Sequence, residues 1–368
     1  MPATVKTICN AMEAWAPSCL AYDWDRVGLQ IGRPEAPVER VLTCLTVTDQ
    51  VVSKATQWGA NMIVAHHPIL FSPLKALRTD DVHTQRCLQL AQHEIACFAA
   101  HTNLDVVPDG VNTLLAETLG LEAVVPLVPA PKAALVKLIT FVPATHEAAL
   151  REALARAGAG QIGNYSDCSF STPGTGTFLP GPGSDPFTGK QGVLSHELEL
   201  RFEMVVPKSI LGQVLTALRE AHPYEEPAFD VVALENTDPR IGMGARGQLA
   251  NPMKLSDFAQ HVCQVLKLKH VRMVGRGGDS IQRVALCGGA GGGEISSMPV
   301  DIDVYVTGDL KYHEADMARD RGLALIDAGH VGTERGIATH IARYLKRTVP
   351  GIEVKPIVES EIFQVVTA

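Results

Sequence analysis

Asn61-Met62-Ile63-Val64-Ala65-His66-His67-Pro68 is the stretch that decides the fold of this chain. An uninterrupted apolar run, too short for a helix and without alternation, describes a strand buried on both faces. Two histidines stand where that strand ends. Outward from it, Val41 to Val47 reads as a strand and Val51 to Trp58 as a helix. His83 to Gln92 reads as a helix, Ile95 to Ala99 as a strand and Gly110 to Leu119 as a helix, with Pro2 to Ala16 as an opening helix. Strands alternating with helices are the signature of parallel βαβ units.

The same grammar returns from about Ile241. Strand Val41–Cys44 leads through a helix and a second strand to His66, and strand Val284–Cys287 leads likewise to Asp309. Each interval is 22 residues, 44 to 66 and 287 to 309. A third strand then ends near His101 in one half and near His330 in the other. Between the halves the pattern changes. Pro126 to Lys132 carries three prolines and reads as a linker. Leu135–Val142 (strand), His146–Ala157 (helix), Tyr165–Ser171 (strand), Glu197–Val206 (strand), Ser209–Ala221 (helix) and Ala228–Leu234 (strand) follow in the order β-α-β-β-α-β of a ferredoxin-like unit. Within it, Ser171 to Gly192 is rich in Gly, Pro, Ser and Thr and reads as a long, mobile or functional loop. The predicted architecture is an α/β domain of two pseudo-repeated βαβ halves, 1–128 and 239–368, interrupted by an α+β insert at 129–238.

Composition sets the outer limits. At ~150 residues per domain, 368 residues correspond to two or three domains. A hydrophobic fraction of 46% excludes a disordered chain. Lys plus Arg number 32 and Asp plus Glu 40, so the formal net charge of -8 argues against a basic nucleic-acid-binding face but leaves room for a local anion site. No direct nucleic-acid binding is expected. Eight cysteines without a C-x-x-C pair, of which Cys44, Cys97 and Cys287 lie in apolar stretches, fit a reducing compartment. Asn10, Glu13 and Pro17 interrupt any signal-peptide core, and no apolar run reaches the length of a membrane span. These features predict a soluble cytoplasmic protein with no membrane partner.

In parallel α/β sheets the ligand sits beyond the carboxyl ends of the strands. The four segments at those ends are His66-His67-Pro68, His101-Thr102-Asn103-Leu104-Asp105, Gly308-Asp309-Leu310-Lys311-Tyr312-His313 and Gly329-His330-Val331-Gly332-Thr333-Glu334. They hold five of the thirteen histidines. Adjacent strand residues point to opposite faces, so His66 and His67 chelate one ion poorly and suit two neighbouring ions better. His330 and Glu334 have i, i+4 spacing and share a face if a helix starts near Gly329. Asp105 adds a hard oxygen, and a carboxylate can bridge two metals. Such a mixed nitrogen and oxygen set suits Zn, Mn, Fe or Co over Ca or Mg.

Together these segments resemble the motif set of the GTP cyclohydrolase 1 type 2 homologs, the Nif-three-like proteins. Trp24-Asp25-Arg26-Val27-Gly28-Leu29-Gln30-Ile31-Gly32 resembles the family's N-terminal signature, with Arg26 where Asn is commoner, and Thr333 stands where Ser is usual. Gly158-Ala159-Gly160, Ile162-Gly163-Asn164-Tyr165, Cys168-Ser169-Phe170 and His222-Pro223-Tyr224-Glu225-Glu226-Pro227 resemble the PII-like domain inserted in its longer members. The resemblance implies two divalent ions held by His66, His67, Asp105, His330 and Glu334, with Glu334 bridging. It also implies a toroidal homohexamer whose metal sites face an internal cavity.

Paired divalent ions point to hydrolysis. Candidate helpers are His101 and His313, as proton carriers or as holders of ligating imidazoles. Lys311 and Asp309 are candidate substrate contacts, Lys311 for an anionic group; Lys311 and Tyr312 also suit a solvated helix start. The glycine-rich Cys287 to Glu294 loop could cradle a phosphate, but close packing at a strand-to-helix turn explains it more economically. Lys267, Lys269, Arg272, Arg276 and Arg283 form a basic stretch, readable as an anion-attracting rim or as a solvated face. The functional expectation is a metal-dependent hydrolase of a nucleotide or a small phosphorylated or heterocyclic compound. Its alternatives are a metal sensor or delivery protein without turnover, and an interaction scaffold.

Overall fold

The computed structural model describes residues 2–366. Residues up to Ala130 together with those from Arg240 form one compact unit, and Pro131–Pro239 forms another.

The first unit contains two sheets. One has five strands in the order Gly28–Ile31, Ala96–Ala99, Met62–Ala65, Arg40–Cys44, Glu353–Pro356. The last four run parallel, and Gly28–Ile31 lies antiparallel on the edge. Met62 to Ala65 have no solvent exposure, as the apolar run requires. Helix Asp49–Trp58 crosses between the second and third parallel strands; Thr48 caps its first turn and Gly59, at φ 67°, ends it in the left-handed conformation. The register aligns Cys44 with Ala65 and Ala65 with Ala99, so the residues that follow each strand emerge side by side.

The other sheet has six strands in the order Arg272–Val274, Ala324–Asp327, Val304–Thr307, Ser280–Leu286, Gly242–Lys254, Glu122–Pro129. Ser280–Leu286, Val304–Thr307 and Ala324–Asp327 are parallel, with Leu286, Val306 and Ile326 in register. The loops after Leu286, Thr307 and Asp327 therefore leave from one edge. Of the expected linker Pro126 to Lys132, the residues up to Pro129 are strand, and the boundary between the two units falls in the remainder, between Ala130 and Pro131. Pro126 pairs opposite Ala245 and Pro129 opposite Gly242, within the strand Glu122–Pro129. That strand is at the sheet edge, where a residue with no N–H is tolerated.

The Pro131–Pro239 unit has a four-stranded antiparallel sheet in the order Ser169–Phe178, Ser195–Pro207, Ala134–Val142, Phe229–Thr237. Helices Glu147–Arg156 and Leu211–Ala221 cover one face, packing Leu150, Leu154, Val214 and Leu218 against Val136, Leu138, Phe202 and Met204. Two sequence expectations fail here. The strand expected at Tyr165–Ser171 lies at Ser169–Phe178, and much of the expected loop from Ser171 belongs to it. That strand is almost wholly exposed, so it lacks apolar alternation, yet it pairs residue by residue with Ser195–Pro207. The true loop is 179–194.

Among the described residues no helix is long and apolar enough to cross a membrane. No disulfide is formed among the described residues.

Candidate metal centre

The strand ends of both sheets in the first unit bring five predicted residues together. His66 Nε2 lies 3.5 Å from Asp105 Oδ1 and 3.9 Å from Glu334 Oε1. On the other side of the same carboxylate, Glu334 Oε2 lies 3.1 Å from His67 Nε2 and 2.9 Å from His330 Nε2. The two imidazole nitrogens are 3.3 Å apart. These separations are close to the edges, about 3.3 Å, of a tetrahedron with the ~2.0–2.1 Å bonds of zinc to nitrogen or oxygen. Two groups of three, His66 with His67 and His101, and His67 with His330 and Glu334, each place their donor atoms within 4.8 Å of one another and could hold a metal ion.

Each imidazole is anchored through its other nitrogen. His66 Nδ1 donates to the Ala100 carbonyl at 2.7 Å. A carbonyl only accepts, so His66 keeps a bare Nε2 directed at Asp105. His67 Nδ1 meets Thr46 Oγ1 at 2.7 Å, His101 Nδ1 meets Asp25 Oδ1 at 2.9 Å, and His330 Nδ1 meets Asp309 Oδ2 at 2.8 Å. Fixing one ring nitrogen so that the other converges on a point is how proteins orient metal-ligating histidines.

The electrostatics of the cluster are unusual. His66 is fully buried, and burial pushes its pKa down to about 3. Burial and the neighbouring Glu334 push Asp105 well above the carboxylate range. Burial also opposes the charge on Glu334, but hydrogen bonds from His330 and His67 hold its carboxyl well below the usual range. The Glu334 hydrogen bond raises His330 to about 9. Buried His66 Nε2 and Asp105 Oδ1 face each other, and neither has a hydrogen-bond partner. Orphaned buried donors and acceptors are costly, and a cation between them would satisfy both.

Glycines make the closure possible. A Cβ on Gly308 would lie 2.6 Å from the Gly329 carbonyl carbon, and one on Gly289 would lie 2.3 Å from Glu334 Oε1. The loop after Cys287 thus packs directly on the centre, and three of its N–H groups are committed: Gly288 to Asn112 Oδ1 at 2.9 Å, Gly289 to Thr333 Oγ1 at 3.0 Å and Gly291 to Thr307 Oγ1 at 3.0 Å. Close packing accounts for this loop, which continues into a 3-10 turn at Gly291–Ser297. Gly289, at φ 65°, is left-handed. Gly289→Ala is expected to lose about 1–3 kcal/mol of stability from backbone strain alone, measured by denaturant unfolding, and to displace Glu334 as well.

The remaining sequence candidates divide. His101 stands beside the cluster, its donor atom within 4.8 Å of those of His66 and His67. Asp309, expected as a substrate contact, holds His330 through its carboxylate. His313 is exposed on the first turn of helix Tyr312–Asp320, with its ring against Tyr312. Lys311 is exposed at that helix start, where its N–H donates to Glu314 Oε2 at 2.8 Å. In the basic stretch, Arg272 pairs with Asp327 and Arg283 with Asp303, so neither is an uncommitted rim charge. Asp25, within the N-terminal signature, is a further site residue that sequence spacing does not reveal. It accepts from Thr102 N at 3.0 Å and Thr102 Oγ1 at 2.6 Å while holding His101. Burial opposes its ionisation, yet the bonds from His101 and Thr102 keep its pKa at about 2.

Comparison with known proteins places this geometry in context. The family profile of Duf34/NIF3 (NGG1p interacting factor 3) matches residues 3–362. A Halalkalibacterium halodurans protein named GTP cyclohydrolase 1 type 2 homolog is 42% identical over 326 residues, which cover 88% of either chain. A Bacillus subtilis protein of the same name is 41% identical over 324 residues, 88% of this chain and 87% of its own. The mixed α/β fold with several sheets matches the crystal structure of a Bacillus cereus protein related to NIF3, with a TM-score of 0.90 and 40% identity over 100% of both chains. A Staphylococcus aureus protein gives a TM-score of 0.77 at 29% identity over 99% of both chains.

Proposed function

We propose, since the chain belongs to the Duf34/NIF3 family, that it binds two divalent metal ions and hydrolyses a nucleotide or another small phosphorylated or heterocyclic compound. The observation that carries this reading is the pair of partnerless buried atoms, His66 Nε2 and Asp105 Oδ1, 3.5 Å apart, with His66 near one oxygen of Glu334 while His67 and His330 face the other. His66, Asp105 and Glu334 would hold one ion, and His67, His330 and Glu334 the second. The donor set suits Zn, Mn, Fe or Co. Ions there supply Lewis-acid polarisation and acidify water, the chemistry that hydrolysis requires. The relatives' name motivates placing GTP among the substrates tested.

His101 is suited to carry a proton at its Nε2. Burial alone would lower its pKa, but the hydrogen bond and charge of Asp25, with Asp105, carry it above the ordinary histidine value. A group held protonated beside the centre can protonate a leaving group. Exposed Lys311 would meet an anionic part of the substrate.

An aromatic shelf supports a planar substrate. Tyr22 and Trp24 stack at 5.9 Å, Trp24 meets Phe71 at 5.9 Å, and both Trp24 and Phe71 present edges to His101 at 6.1 and 6.4 Å. Trp24 is 54% exposed and Phe71 48%, wasteful for packing but suited to stacking a ring. Base stacking of about 1–3 kcal/mol predicts that Trp24→Ala raises KM roughly 5- to 150-fold with kcat little changed.

The architecture extends the proposal: the parallel strand triplets as halves of a pseudo-repeat, Pro131–Pro239 as a PII-like insert, and a toroidal homohexamer, testable by light scattering. The deciding experiment is metal analysis of protein purified without added ions, followed by a nucleotide and phosphoester panel. Two equivalents of metal and turnover of a panel member are expected. Metal without turnover would replace this reading with metal sensing or delivery.

A further inference from the structure

The helices of the Pro131–Pro239 unit cover only one face of its sheet. On the other face, loop 179–194 and the turn at Tyr224 to Glu226 help to enclose a cavity of about 640 Å³. Phe141, Arg201, Glu199, Thr172 and Gly174 form its floor. Their pairing, Gly174 opposite Glu199, Thr172 opposite Arg201 and Phe141 opposite Arg201, puts them on one side of the sheet, out of phase with the core residues Leu138 and Phe202. The loop is tied to the turn by the Asp185 N–H, which donates to Glu225 Oε2 at 2.9 Å. A volume of this size is typical of a small-molecule site, about 300–1,000 Å³.

Its chemistry is selective. Phe141, Phe178, Phe187 and Tyr224 contribute aromatic surface, and Phe187 and Tyr224 approach within 6.0 Å. Glu199 is only 9% exposed, and its carboxylate lies over Gly176, where a Cβ would be 2.0 Å from Oε2. Tyr224 Oη and Thr188 Oγ1 are buried without a hydrogen bond of good geometry, and the phenol lies beside both Glu199 and Thr188. Arg201, the one basic residue of the lining, donates to Glu203 Oε1 at 2.8 Å, whereas Glu225 and Glu226 add two further acidic side chains. Aromatic faces, a buried carboxylate and unpaired hydroxyls suit a positively charged group carrying N–H donors and disfavour an anion.

We propose that this cavity binds a small organic cation, an ammonium or amidinium group on an apolar or aromatic body, with Glu199 as the charge partner and Tyr224 and Thr188 as hydrogen-bonding groups. The site is independent of the metal centre, and its test needs no turnover. Benzamidinium, neutral benzamide and benzoate would be titrated into the full chain by calorimetry. Benzamidinium should bind saturably and at least tenfold more tightly than benzamide, and benzoate should not bind. Glu199→Gln should erase the preference for the cation. Gly174→Leu, at a position whose Cβ would meet nothing within 4 Å, should block the cavity without disturbing the fold. Thermal melting would verify that each variant is folded. Absence of saturable binding, benzoate binding as well as benzamidinium, or wild-type affinity in folded Gly174→Leu would overturn the proposal. So would a cavity that binds no cation while Gly174→Leu changes the oligomeric mass, which would assign this face to a second copy of the chain.

Discussion

Glu334→Gln is expected to leave the protein with at most one equivalent of divalent metal and to abolish the proposed hydrolysis. The substitution keeps the volume of the side chain and one acceptor oxygen, so it isolates the bridging function. In the wild type, Oε1 faces His66 at 3.9 Å while Oε2 faces His67 at 3.1 Å and His330 at 2.9 Å. A glutamine oxygen can serve one side only, and its NH2 group on the other side repels a cation. Asp25→Asn and Asp309→Asn are the informative controls, because these carboxylates hold His101 and His330 by the nitrogen that faces away from the cluster. Losing such a partner typically costs 10–100-fold, so a larger loss on replacing Glu334 separates a ligand from a residue that orients one. Metal analysis and kcat/KM for the three variants give that ranking. Retention of two metal equivalents by Glu334→Gln would remove the dinuclear reading.

The cluster was legible in the sequence because parallel strands write their ends plainly. Met62 to Ala65 and Val304 to Thr307 are wholly buried, so the first polar residues after them had to stand at the mouth of a sheet. The partners that orient the cluster were not legible in the same way. Asp25 reaches His101 across 76 positions of sequence, and no local period connects them. Asp309 stood in the correct segment, but nothing in its spacing announces that it holds His330. Its backbone has φ 56°, an unusual left-handed turn for a residue with a side chain, and that turn belongs to the loop from which it bonds His330. Residue type alone could not distinguish a carboxylate that touches substrate from one that holds a ligand. The misread strands share another cause. Ser169–Phe178 and Glu122–Pro129 are edge strands, where hydrogen bonding to a neighbour stabilises what composition describes as loop.

Removing the metal should lower the melting temperature of the first unit by about 8–16 °C, and Asp105→Asn should shrink that difference chiefly by stabilising the metal-free protein. The size of the first effect follows from mass action: a ligand present at a thousand times its Kd contributes about 4 kcal/mol, and each kcal/mol moves a domain of this size by about 2–4 °C. The second effect follows from what the metal-free fold must tolerate. Asp105 Oδ1 is buried without a hydrogen-bond partner, close to His66 Nε2, and its carboxyl group feels the charge of Glu334. Folding without a cation therefore desolvates a carboxyl group with little compensation. An asparagine of the same shape carries no charge to desolvate, and its amide can donate to the bare His66 Nε2. The variant should thus melt above the metal-free wild type, below the metal-loaded wild type, and almost independently of chelator. The opposite order, with Asp105→Asn less stable than wild type under chelation and no shift on adding metal, would mean that the carboxylate is a structural hydrogen-bonding group. Two buried atoms would then remain 3.5 Å apart with nothing to satisfy them. That unfavourable arrangement is why a stabilised Asp105→Asn variant is the expected result.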